Sequence, residues 1–108
     1  MDEKIGQSGI WYHGSNRKFS LLREGSTITP WKELARAFSH RPSVLEYDGG
    51  NIRHNGKEQG FLFVIDEPVE MGKDIFPHPR STMDPGLEFI TKRPLKVRLI
   101  EETEISPL

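Results

Sequence analysis

From Phe61 to Ile65 the chain is apolar at every position, between Gly60 on one side and Asp66 on the other. An extended segment with no polar face has to be covered on both sides, so Gly60–Asp66 reads as the central strand of a sheet. One segment can supply helical cover. Within Trp31 to His40, apolar residues fall at Trp31, Leu34, Ala35 and Phe38, the i, i+3, i+4, i+7 spacing of one helix face. Thr29-Pro30 opens that helix: threonine can accept free N–H groups of the first turn, and proline is pre-shaped for the first helical position. Arg41-Pro42 closes it.

Shorter strands flank these two elements. Gly9 to Tyr12 is read as a first strand that stops at a Gly14-Ser15-Asn16 turn. Phe19, Leu21 and Leu22 form an apolar patch before a turn at Glu24-Gly25, and Ser26 to Thr29 is a second, β-branched strand. Ser43 to Tyr47 either pairs with Ile52 and Arg53 around Gly49-Gly50 or belongs to a mobile loop. After Glu67-Pro68 an irregular segment carries prolines at 77, 79 and 85, and the closing strands are Leu87 to Thr91 and Leu95 to Glu101. The expectation is an α+β fold on a mixed or antiparallel sheet with one main helix. Its boundaries are a loose tail at 1–8, a single domain at 9–102 and a C-terminal tail at 103–108.

Composition narrows the function classes. With 108 residues the chain makes one domain. Its 15 basic and 16 acidic residues give a net charge of −1, which disfavours general binding to a nucleic-acid backbone. Arg17 with Lys18, and Lys92 with Arg93, remain local contact points. The absence of cysteine excludes disulfides, thiolate metal sites and cysteine nucleophiles. There is no apolar leader in the first residues and no run of about 18 apolar residues. The expected setting is soluble and cytoplasmic, with no membrane partner.

Two residues stand out chemically. His13 lies at the end of an aromatic strand, beside a glycine whose bare backbone lets a ligand come close. Glu88 interrupts Leu87, Phe89 and Ile90; facing a cleft, such a carboxylate suits general-base work or the stabilisation of an oxocarbenium ion. The plainer alternatives are a histidine that closes a turn and a glutamate on a solvated face. The hydroxyls of Ser26, Thr27 and Thr29 could orient a sugar, or could be structural. His40, His54 and His78 show no metal-ligand spacing and read as surface residues. Trp31, Phe38, Phe61 and Phe63 are assigned to packing. No phosphate-binding loop or dinucleotide fingerprint is present.

Taken in order, these pieces resemble the ADP-ribosyltransferase superfamily in its compact form. The matching motifs are Tyr12-His13-Gly14-Ser15, Thr29-Pro30 leading into Leu34-Ala35-Arg36-Ala37-Phe38, and Leu87-Glu88-Phe89-Ile90 before Pro94-Leu95-Lys96-Val97. The resemblance covers roughly residues 9 to 101. It implies a split β-sheet that grips NAD, used as a substrate, in a cleft. His13 would hold a ribose hydroxyl and the Gly14 backbone would meet the nicotinamide amide. Ser15, Thr27 and Thr29 would complete the NAD-binding set, and Glu88 would be the catalytic glutamate. Gly86 stands where arginine-modifying members carry a second glutamate, which argues against arginine as acceptor. The implied activity is transfer of ADP-ribose to an unknown macromolecular or small-molecule acceptor, in the manner of a small toxin or phage-type modifier. The alternative is a catalytically inactive module with the same fold that binds a nucleotide or a protein partner.

Overall fold

A computed structural model describes residues 10–103. The described strands are β1 (Tyr12–Ser15), β2 (Leu21–Leu22), β3 (Thr27–Ile28), β4 (Leu45–Asp48), β5 (Asn51–His54), β6 (Gly60–Ile65), β7 (Ile75–Pro77), β8 (Phe89–Thr91) and β9 (Leu95–Thr103); the helix is α1 (Lys32–Phe38). The fold is α+β, and every pair of named strands is antiparallel. One sheet has the order β1-β6-β9-β2, a second has β3-β8-β7, and β4-β5 is a separate hairpin. β6 is central in its sheet, as its unbroken apolar run requires.

The two larger sheets meet where Tyr12 and Thr29 exchange backbone hydrogen bonds, at 2.8 and 3.0 Å. A single hydrophobic core joins them, with Trp11, Phe63, Ile65, Val97 and Leu95 from the first sheet and its approach, and Ile28, Ile75 and Phe89 from the second. Trp11 meets Phe89 edge-on with ring centres 4.8 Å apart, a favourable aromatic geometry. Helix α1 buries Leu34, Ala35 and Ala37 and packs against β1 and β6. No described helix is long and apolar enough to cross a membrane.

Several expectations are corrected. The first strand is displaced: Gly14 and Ser15 belong to β1 rather than to a turn, because β1 pairs with β6 through Ser15↔Phe61. Gly9 lies outside the described residues. The helix is shorter than Trp31–His40, with Trp31 as its N-cap and no side-chain cap; Thr29 Oγ1 instead accepts the Trp31 N–H at 3.1 Å. The irregular segment after Pro68 contains β7, whose pairing with β8 was not visible in a proline-rich stretch. Glu88 precedes β8 rather than lying inside it. β9 continues through Thr103, which is fully buried. Of the two readings of segment 43–53, the hairpin is the observed one, turning at Gly49-Gly50 with Gly49 at φ 63°.

Candidate functional site

The seam between the two sheets positions His13. β1 is held on one edge by β6, and on the other it meets β3 through the Tyr12–Thr29 backbone bridge and the His13 side chain, at the boundary between the two sheets. His13 stands at that boundary. Its Nδ1 donates to the Thr27 carbonyl at 2.7 Å, and its ring rests near Phe19 and Phe63. A carbonyl only accepts, so the proton sits on Nδ1 and Nε2 is left as an acceptor. Burial holds the imidazole below its ordinary pKa against the opposing pull of the Thr27 carbonyl, which keeps the ring neutral at pH 7.

A cavity of about 420 Å3 lies at this point, within the range of small-molecule sites. His13, Gly14, Thr27 and Glu88 all line it, together with Phe38, Arg41 and Pro42. Residues distant in sequence thus share one concave surface: β1 supplies His13 and Gly14, β3 supplies Thr27, and the approach to β8 supplies Glu88. Glu88 is half-buried and accepts a 2.5 Å hydrogen bond from Ser81 Oγ. Its backbone carbonyl accepts the His78 N–H at 3.0 Å, which extends the β7–β8 pairing and fixes the chain there. Arg93, one conceivable partner of Glu88, is engaged with Asp74 and Glu67 instead.

Other expected site residues are placed differently. Ser15 lines the neighbouring cavity with His13, and its Oγ accepts the Arg17 N–H at 3.2 Å. Thr29 is buried at the sheet seam and lines neither cavity; its hydroxyl serves the Trp31 N–H. Gly14 has a packing reason beside any ligand role. A Cβ there would lie 1.9 Å from the Ala35 carbonyl oxygen, so only glycine lets β1 run this close to α1.

Residues assigned to packing or to the surface also need correction. Phe38 lines the His13–Glu88 cavity. Trp31 is only partly buried and meets Tyr47 edge-on across an apolar cavity of about 310 Å3, which Leu87 also lines. Tyr47 Oη accepts the Asp84 N–H at 2.9 Å, tying the hairpin to the segment before β8 beside that cavity. His40 is buried rather than exposed, donates from Nδ1 to the Glu58 carbonyl at 2.8 Å, and stacks on His54 with ring centres 5.3 Å apart. Arg41, the helix terminator in the sequence, lines the cleft with its own backbone in the left-handed region, φ 57°. A charged residue before Pro42 was the available signal, and it carried no direction. Among the described residues no cluster of three or more metal-ligating side chains occurs. No family model, curated protein or solved structure matches the chain.

Proposed function

We propose that the cleft between His13 and Glu88 takes NAD as a substrate and that the protein transfers its ADP-ribose to an acceptor. The observation that carries this reading is the shared cavity of His13, Gly14, Thr27 and Glu88. In that reaction the bond between the ribose C1 and the nicotinamide nitrogen breaks, and its electron pair leaves with nicotinamide. Positive charge develops on the ribose, and an acceptor nucleophile then bonds to C1 and gives up its proton. A carboxylate at Glu88 would stabilise the developing cation, and charge placed in advance where it is needed is a large term in catalysis. His13 Nε2, free to accept, suits a ribose hydroxyl as its donor.

The second reading, a binding module without turnover, is favoured by one contact. Ser81 Oγ occupies Glu88 Oε1 at 2.5 Å, so part of the carboxylate is already committed within the protein.

One experiment separates the two: NAD is titrated into labelled protein while free nicotinamide is assayed. Amide shifts at His13, Gly14, Thr27 and Glu88 with nicotinamide release, abolished in Glu88→Gln, support the transferase. The same shifts without release, unchanged in Glu88→Gln, support the module. No shifts at millimolar NAD would overturn both as nucleotide readings.

A further inference from the structure

Beside the His13–Glu88 cleft, sharing His13 and Arg41 with it, lies a second cavity of about 580 Å3. Arg17 and Lys18 reach it from the β1–β2 connection, Arg23 from the turn after β2 and Arg41 from beyond α1, and among the described residues no carboxylate lines it. The whole chain has a net charge of −1, so this is a local gathering of cations and not a basic surface in general. Ion pairing sharpens the contrast. Arg36, Arg53, Arg93 and Arg98 each pair with a carboxylate, whereas among the described residues Arg17, Arg23, Arg41 and Arg80 do not, and the first three of these line this one cavity. Lys18 is engaged by Glu102 at 3.5 Å, so the three guanidinium groups are what this cavity offers.

Arg41 adds an independent observation. Its φ of 57° is costly for a residue with a Cβ, and just beyond a helix end that conformation normally falls to glycine. Arg41 lines both cavities at once. Strained backbone of this kind persists where the surroundings over-determine it, which is common at ligand-binding positions.

We propose that this cavity is a phosphoryl-binding subsite, in which the planar guanidinium forks take phosphate oxygens in pairs. The phosphoryl group could come from the diphosphate of the dinucleotide or from a phosphate ester carried by the acceptor. Only the first source rests on the NAD reading above.

The test uses inorganic pyrophosphate titrated into the labelled full chain at low salt. Shifts are expected at Arg17, Arg23 and Arg41. Affinity should fall about tenfold or more in Arg41→Gly and in Arg23→Ala, as expected for lost charge-assisted hydrogen bonds. Arg41→Gly relieves the left-handed strain, so its melting temperature should not drop, which separates lost binding from lost folding. An absence of shifts at millimolar pyrophosphate, or wild-type affinity in both variants, would overturn the subsite. ADP then distinguishes the sources. If ADP displaces pyrophosphate and extends the shifts to Gly14 and Thr27, the diphosphate belongs to the nucleotide. If NAD and pyrophosphate bind together, the phosphate belongs to the acceptor. Pyrophosphate binding without any NAD binding supports the subsite while refuting the NAD reading.

Discussion

His13 Nδ1 donates to the Thr27 carbonyl at 2.7 Å, and this one hydrogen bond both joins β1 to β3 and decides which ring nitrogen faces the cleft. The two roles can be separated. An asparagine amide can keep a donor near the Nδ1 position but supplies nothing in place of Nε2. His13→Asn is therefore expected to fold with nearly wild-type stability and to lose NAD affinity by about tenfold or more. His13→Ala should lose both, with a stability cost of about 1 kcal/mol for the half-buried Thr27 carbonyl left without its partner. Chemical denaturation and an NAD titration on the two variants check this.

Acid stability should report on the histidines. Burial lowers the pKa of His13, and burial followed by the charge of neighbouring His40 lowers that of His54. When the folded pKa lies below the unfolded value of about 6.5, the unfolded chain binds more protons once pH falls under that value. Stability is then unaffected by these groups above neutrality and declines as pH drops below about 6.5. The melting temperature is expected to fall between pH 7 and 5, with a shallower slope in His54→Gln. Carboxylates add to the decline at lower pH. Glu67 is held down first by the Lys96 N–H, Asp74 by Arg93 and Glu101 by Arg36, so their stabilisation is lost as acid protonates them. An acid stability profile that rises toward pH 5 would contradict the assignment.

Gly14→Ala should be the most damaging single-methyl change in the cleft. The added Cβ would meet backbone, the Ala35 carbonyl oxygen and the Ser39 nitrogen, so α1 has to move away from β1. Overpacking of this kind costs about 1–3 kcal/mol or more. Since α1 also leads to Phe38 and Arg41, the cleft should widen with it. The denaturation midpoint of Gly14→Ala is expected to fall, and NAD shifts at Thr27 should weaken in parallel.

Ser39 and Thr103 share a 2.7 Å hydrogen bond between their hydroxyls, and both residues are fully buried. Ser39 Oγ also reaches the Arg36 carbonyl at 2.5 Å, so the end of α1 is fastened to the end of β9. Thr103→Val keeps the shape of the side chain and removes the hydroxyl. A loss of about 1–2 kcal/mol is expected. A chain ended at Glu102 should lose more than the point variant, because the last core position of β9 goes with it. Thermal melts of the two forms test the order.

The sequence by itself determined the local elements. An apolar run from Phe61 to Ile65 leaves no face for water and becomes the central strand, and the spacing of Leu34, Ala35 and Phe38 marks helix α1. Gly49-Gly50 permits a tight turn, but between a hairpin and a mobile loop the β4–β5 pairing decides. These patterns are short-range, set by backbone geometry and by which face can be apolar. Tertiary structure alone decided the rest. Nothing near Pro77 indicated that β7 would pair with β8, since that pairing depends on a partner later in the chain. Thr29 looked like a binding hydroxyl, and the seam between the sheets buries it. Arg41 reads as the end of a helix, and the fold sets it at both the His13–Glu88 cleft and the second cavity that Arg17 and Arg23 line. His13 and Glu88 line one cavity because β1 of one sheet and the approach to β8 of the other are brought together across 75 residues of chain, an arrangement that no local pattern encodes.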